Sequence, residues 1–437
     1  DEVCVGIVER TVARLVKLAL VVRHFDIVIN DLDAAMKHAG SGGIGHLAVI
    51  HTGATASEIH ARWIDVANGN IVWSETFALS ETPIATSDEI ARSIADAAAT
   101  HLGFEPPGAP AVGGLSTNAD AHRAYLKGLV RKNRHTPRDT REAITYFETS
   151  LDHDPRFAGA WVGLAESHDL LATEGMDVAT HHAACMRASR RALALQPDIS
   201  SAINCLAKTA WQHEWDWEKA DTLFGNAISL EPNNAEIHSS QSDFYAMVGL
   251  GEQAVARASR AVELDPLSPW HASMLSQAHT AAGDTTAAVA AADHALQVAP
   301  GFPFAEFMKG LAHAADGDLA KASTHIERAA ASGRMDFASA LALCQCRAGD
   351  ESRARAMLED LDAHAEQVPP IAFAVVLAAL GRLDDAVPYL QQVAATRDWH
   401  LLLFETGPMV SDMRDDPRLR PILDQLGLRA WLARKRA

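Results

Sequence analysis

One period constrains this chain more than any other feature. A proline returns at Pro197, Pro232, Pro266 and Pro300, at steps of 35, 34 and 34 residues, each time two places after a leucine or valine. Glycine follows its own series at Gly249, Gly283, Gly317, Gly349 and Gly381, at steps of 34, 34, 32 and 32. Proline cannot continue a helix, because it lacks the N–H and clashes with the preceding turn. Glycine is the residue that most readily takes the left-handed conformation that closes a helix. Two stop signals per period divide each unit into two helices. Such hairpins are too small to bury their own apolar faces and do so only by stacking on their neighbours.

The second helix of each predicted hairpin carries a small residue where a close helix crossing is needed: Ala220, Ala254, Ala288, Ala322, Ala354 and Ala386. Another alanine follows seven places on at Ala227, Ala261, Ala295 and Ala329, and larger residues stand between or beside them at Phe224, Ile326, Leu358 and Leu390. Small and large positions alternating on one helical face are holes and knobs. The unit resembles the tetratricopeptide repeat. The repeat array then spans 119–398 as about eight units, 119–155, 156–197, 198–232, 233–266, 267–300, 301–334, 335–367 and 368–398, with extra loop near Glu174-Gly-Met176. The expected fold is mainly α, a tetratricopeptide-repeat right-handed superhelix (an α-solenoid), preceded by a small α/β domain.

That domain is expected over residues 1–104. Val5 to Leu18 has helical spacing, Leu20-Val-Val22 is strand-like, and Asp31 is placed to cap a second helix. Leu47–Ile50, Glu58–Ile64 and Asn70–Phe77 read as strands, the last two joined by Asn68-Gly69. Asn-Gly is a strong hairpin signal because both residues tolerate positive φ. A helix from Ser87 carries Ile90, Ile94 and Ala98 on one face. The segment resembles the TolB-like domain through Arg62-Trp-Ile-Asp65, Asn68-Gly69, Val72-Trp73, Phe77 and Ser87-Asp-Glu-Ile-Ala-Arg92, although the apolar strand that usually opens such a domain is missing. Gly40-Ser-Gly-Gly-Ile-Gly45 matches the dinucleotide fingerprint in letters, but a helix precedes it and a strand follows, the reverse of the required order; it reads as a helix stop. Pro106, Pro107 and Pro110 mark a linker over 105–118.

The third unit holds Trp211-Gln-His-Glu-Trp215-Asp-Trp217 ahead of its second helix. This turn is similar to repeats that follow TolB-like domains in bacterial CadC-type transcriptional activators and adenylate-cyclase-associated regulators. The resemblance implies a regulatory or sensory module that receives a protein or small-molecule signal for a winged-helix or cyclase effector. The resemblance places that effector outside this chain, upstream of Asp1, and the absence of an initial Met fits the carboxy-terminal part of a longer protein. Trp215 and Trp217 are expected to pack between units, whereas Trp211 stands equally well in the core or in the groove. Residues 399–437 read as a carboxy-terminal helical cap, with a turn at Asp415-Asp-Pro417 and a last amphipathic helix.

Charge and chemistry narrow the partners. A net charge of −18 speaks against direct contact with nucleic acid or an anionic membrane, and Arg434-Lys-Arg436 is too short to reverse it. Five cysteines in no framework suggest reduced thiols in the cytoplasm, and no apolar run is long enough to span a membrane. Cys344 and Cys346 diverge on a helix, as do His181 and His182, and His213-Glu214 lacks the second histidine of a zinc helix. No catalytic motif stands out, so no cofactor and no catalysis is expected; an enzyme would need a pocket where the α/β domain meets the array, near His168, Asp169 and Trp211. The better candidate is the concave groove lined by first helices. By register it presents His122, Tyr125, Glu166, Asp169, Asn204, Lys208, Trp211, Glu236, Ser239, Asp243, Trp270 and Gln277, then Phe304, Phe307, Leu311 and Val375. That surface, polar and acidic early and apolar late, suits a protein or peptide, or a small-molecule effector. A free-standing scaffold for protein assembly is the alternative, and a homodimer fits either reading.

Overall fold

A computed structural model of the chain describes residues 46–52, 58–65, 70–78, 90, 93, 94, 97, 116, 118–132, 136–173, 177–363, 368–410 and 412–436. The expected elements at Val5–Leu18, Leu20–Val22 and Asp31, the glycine run at 40–45, the Asn68-Gly69 turn, most of the linker and the loop at 174–176 lie outside the described residues. Two compact units emerge: one comprises Asp1–Leu206 with Gly225–Asn234 and Glu263–Leu267, the other Ala207–Phe224, Ala235–Val262 and Ser268–Ala437. The division therefore runs through the repeats and not through the predicted linker.

In the first unit, β1 (His46–Thr52), β2 (Glu58–Asp65) and β3 (Ile71–Ala78) form an antiparallel sheet in the order β1-β2-β3. Val49 pairs with Arg62 and Trp63 with Trp73, and a register irregularity falls between Trp63 and Ile64. Ala61, Trp63 and Phe77 are buried, and so are Ile90 and Ile94 of the predicted helical face. Two hairpins follow, α1 (Ala119–Lys132) with α2 (Pro137–His153) and α3 (Ala158–Thr173) with α4 (Val178–Leu195). Thr136 starts α2 by accepting from the Asp139 N–H, and Pro137 takes the first helical position, where no donor is lost. Phe147 of α2 is fully buried against glycines of its two neighbours: a Cβ on Gly128 or Gly163 would stand 2.6 or 2.5 Å from its ring.

The hairpins continue with α5 (Ser200–Thr209), α6 (Trp217–Leu230), α7 (Ala235–Met247), α8 (Gly251–Leu264), α9 (Pro269–Ala282) and α10 (Thr285–Val298). Next come α11 (Pro303–Ala315), α12 (Leu319–Ala330), α13 (Met335–Arg347), α14 (Ser352–Ala363), α15 (Pro370–Ala379) and α16 (Leu383–Ala395). The tail adds three shorter helices, α17 (Leu402–Thr406), α18 (Arg420–Leu423) and α19 (Leu428–Arg436). None of the described helices is long and apolar enough to cross a membrane.

The stop signals act as their chemistry requires. Gly283 closes α9 at φ 82° and the next residue, Asp284, caps α10 by accepting from the Ala287 N–H. The Gly317-Asp318 pair repeats the device ahead of α12, with Gly317 at φ 84° and Asp318 accepting from Lys321 N–H. Ala220, Ala254, Ala288, Ala322, Ala354 and Ala386 are all fully buried. Gly310 of α11 meets Ile326 of α12 so closely that an added Cβ would lie 2.5 Å from the Ile326 side chain. Within the second unit the first helices pack side by side, α7 on α9, α9 on α11 and α13 on α15. Together the 34-residue period and these crossings make a solenoid of helical hairpins of the tetratricopeptide type.

Two glycines of the first unit give opposite expected outcomes. Gly163→Ala forces a methyl into the Phe147 ring and costs about 1–3 kcal/mol by overpacking. Gly225→Ala sits in a helix with nothing within 4 Å of its Cβ and gains about 0.5–1 kcal/mol from backbone entropy. Thermal unfolding monitored at 222 nm should move down for the first variant and up for the second; shifts of the same sign would refute the packing account.

Candidate functional site

The tryptophan turn of the third hairpin is built on an irregular helix end. After Thr209 the chain widens into a five-residue π turn, Ala210–Glu214, and Trp215 closes it in the left-handed conformation at φ 56°. Both features carry strain and tend to mark functional positions. Asp216 then starts α6, its carboxylate accepting from Lys219 N–H. The turn directs three indoles differently. Trp211 is 1% exposed, 6.2 Å from Phe244 and edge-on to Trp399 at 6.0 Å. Trp215 lies beneath the Arg397 guanidinium at 6.0 Å. Trp217 is buried and donates its indole N–H to the carbonyl of Leu426 at 2.8 Å.

Each of the three indoles reaches the tail. Arg397 Nη1 donates to the Glu214 carbonyl at 2.6 Å, and Trp399 stacks on His400 at 3.9 Å. Thr406 Oγ1 donates to the Met247 carbonyl at 2.9 Å, Met409 packs in a cluster with Phe307 and Leu341, and Arg347 pairs with Asp412. Further on, the buried Glu405 carboxylate accepts from Arg420 at 2.9 Å and Arg429 at 2.6 Å, which fixes the fold of the tail on itself. One buried cluster collects Trp211, Trp217 and Phe244 with Leu390 and Val393 of α16 and with Leu401, Phe404, Leu423 and Trp431. The segment predicted as a cap for the last hairpin thus also runs along the first helices of earlier hairpins and fills that face.

The predicted groove residues separate accordingly. His122 and Tyr125 are core residues of the first unit, His122 stacked on Phe157 at 6.1 Å and Tyr125 tilted against it at 4.7 Å, and do not line a groove. Asp169, Asn204 and Ser239 are buried too, because the first helices bury polar positions against neighbouring helices as well as apolar ones. Glu166 pairs with Lys132 and is half-buried, as is Lys208. Trp211 belongs to the core beneath the tail. Asp243 and Gln277 come together, the amide donating at 3.0 Å across adjacent first helices. Trp270 remains 38% exposed and stacks on Phe304 at 4.7 Å, Phe307 stacks on Phe337 at 4.3 Å, and Glu236 is exposed. Leu311 and Val375 are half-buried. Sequence reasoning missed Glu218, Asp221, Tyr245, Trp399, Trp431 and Lys435. The available signal was the basic end of an acidic chain, weighed only against nucleic acid and an anionic membrane.

Titratable groups are held in their neutral forms at three places. His168 and His181 face each other with their Nδ1 atoms 2.9 Å apart. Burial first, then His181 and Arg187, depress His168 to about 4, and burial depresses His181 as well. The Tyr245 hydroxyl donates to Asp221 at 2.6 Å; burial and that bond push its pKa up. Cys205 is raised by its hydrogen bond to Cys185 and by burial, so the Cys205 thiol stays protonated and unreactive. Among the described residues no group of three or more His, Cys, Asp or Glu is placed to hold a metal ion.

No protein-family model and no curated protein matches the chain. Solved helical-repeat structures do. The human IFIT1 dimer with m7Gppp-AAAA is 13% identical, over 72% of this chain and 78% of that one, with a TM-score of 0.47. The thermophilic TPR protein TTC0263 of Thermus thermophilus is 19% identical over 44% and 98%, at 0.38. YrrB, a TPR protein with an unusual peptide-binding site, is 16% identical over 42% and 90%, at 0.30. At such values the assignment rests on the hairpins of the chain itself.

Two outcomes follow from these contacts. Trp217→Phe leaves the Leu426 carbonyl without its donor and should cost about 1–3 kcal/mol, with faster amide exchange over 426–436. Unchanged exchange there would remove the tail anchor. For His168 the folded pKa lies below the ordinary 6.5, so the unfolded chain binds the proton first. Its stabilising contribution is complete above 6.5 and is lost as the pH falls from there towards about 4. His168→Gln should flatten the fall in melting temperature across that window; an identical pH profile would contradict the buried neutral pair.

Proposed function

We propose that this chain is the receiving module of a bacterial signalling or transcriptional regulator, with a TolB-like domain ahead of a repeat array that works in the cytoplasm and binds a protein segment or a small-molecule effector along its first helices. The observation that carries the reading is the tail. Residues 397–410 already lie along those helices as a bound polypeptide does, held by aromatic packing, by Thr406 on a main-chain carbonyl and by Arg397 on another. A face that accepts one segment of chain by such contacts has the chemistry to accept another. The stacked Trp270–Phe304 pair and the exposed Glu236 leave an aromatic, acidic ledge beside the filled part. It suits a partner presenting apolar and basic side chains. We assign the module no catalysis; turnover in a broad substrate screen would sink that assignment.

Affinity recovery from host extract tests the reading. Trp270→Ala and Glu236→Lys should each lower recovery of a stoichiometric partner by about ten-fold or more, with the melting temperature unchanged. Recovery indifferent to both substitutions would remove the ledge. Deleting the gene should alter transcript or cyclic-nucleotide levels; a stoichiometric partner with neither altered would favour a free-standing scaffold.

A further inference from the structure

The last helix differs in charge from the chain that carries it. Four of the nine residues of α19 are basic, Arg429, Arg434, Lys435 and Arg436, on a protein of net charge −18. Two of its side chains, Trp431 and Lys435, meet the residues of α6 and α7. They are four places apart, so they project from one face of the helix. The Trp431 ring is 2% exposed, 5.9 Å from Phe244, and its indole N–H donates to Glu218 Oε2 at 3.0 Å. The Lys435 ammonium pairs with Asp221 and lies 5.6 Å from the centre of the Trp431 ring. The receiving carboxylate is positioned independently of the helix, since the Tyr245 hydroxyl donates to its other oxygen and Gln241 in turn donates to Tyr245 at 3.0 Å. Trp217 takes the carbonyl of Leu426 just before the helix, and Gly427, at φ 64°, forms the joint between them.

This surface recognises an aromatic side chain at one position and a cation one turn later. Leu428, buried in the same cluster, and Leu432, packed against it, add aliphatic contacts on the amphipathic face. Asp221 and Glu218 supply the charge complementarity, and their preset geometry lowers the ordering cost for any helix that brings the matching pair. The rim ion pair is solvent-screened and weak, which leaves the indole as the main anchor and keeps the helix exchangeable.

We propose that the residues Trp217, Glu218, Asp221, Phe244 and Tyr245 form a docking site for a basic amphipathic helix of a separate protein, one that carries a tryptophan and, four residues later, a lysine or arginine. α19 is the resident occupant of that site and competes with the partner in cis. The proposal deepens the groove reading and rests on it only in requiring the second unit to take a polypeptide. A partner's apparent affinity then falls by the fraction of time that α19 is seated.

A fluorescein-labelled synthetic peptide of residues 424–437 tests this by anisotropy with the full chain. The double variant Trp431→Ala/Lys435→Glu vacates the site and should bind the peptide at least about ten-fold more tightly than the wild type. Lys435→Glu alone, which keeps the buried indole, should fall between them. Adding Asp221→Lys to the double variant should lower affinity by about ten-fold or more, and added salt should weaken binding. A double variant that keeps its circular dichroism but binds no better than the wild type would overturn the proposal. So would equal binding with and without Asp221→Lys, which places the peptide elsewhere. A wild-type dimer that dissolves on dilution and with Lys435→Glu would overturn the separate partner and give the site to a second copy. The peptide assay needs no host partner, so its failure and that of the Trp270 experiment are read independently.

Discussion

The close crossing of the two helices in each hairpin is the constraint on which the architecture depends. At Ala220, Ala254, Ala288, Ala322, Ala354 and Ala386 the second helix offers no more than a methyl group, and each of these residues is fully buried. At Gly310 the first helix offers no side chain at all, and an added Cβ would collide with Ile326. Helices at this distance exchange dispersion contacts along several turns, and a single added methylene has no space to enter. Hairpins held rigid in this way can present their first helices as a continuous layer, and that layer is what the tail binds.

The tail converts an open row of hairpins into a unit with a shared core. Trp211, Trp217 and Phe244 of the third and fourth hairpins are all buried, and side chains from α16, α17, α18 and α19 join them in one cluster. The strained turn at Ala210–Trp215 makes this possible, because the π turn and the left-handed Trp215 swing three indoles into different directions over a few residues. Aromatic burial of this size offsets the backbone cost of roughly 1–3 kcal/mol. The surface proposed for binding therefore also supplies stability.

Much of the fold was legible in the sequence because it is written in local chemistry. Glycine at 249, 283 and 317 takes positive φ, as a helix stop requires. The three strands around Trp63 and Trp73 follow from alternation. The candidate site was less legible. Register on a helix places His122 and Trp211 on a groove-facing position, but it does not say what covers that position. His122 is covered by Phe157 and Trp211 by Trp399. The second contact joins positions nearly two hundred residues apart in sequence, beyond any periodicity. Asp243 and Gln277, at equivalent places in successive repeats, did come together, because one period of the solenoid is a spatial step as well.

The sequence separation of the tail contacts sets an order on biosynthesis. Trp217 waits 209 residues for the carbonyl it holds, and Glu218 waits 213 for its indole. The early hairpins emerge from the ribosome with helical contacts that are local and fast, whereas closure over such spans is slow. Until Trp431 has been translated, Phe244 and Glu218 lack the indole that they contact in the folded chain. A ribosome that stalls short of that codon releases a product with those contacts unmade, the kind of incomplete packing chaperones and proteases recognise. Helix α19 thus doubles as a signature that synthesis has passed this point.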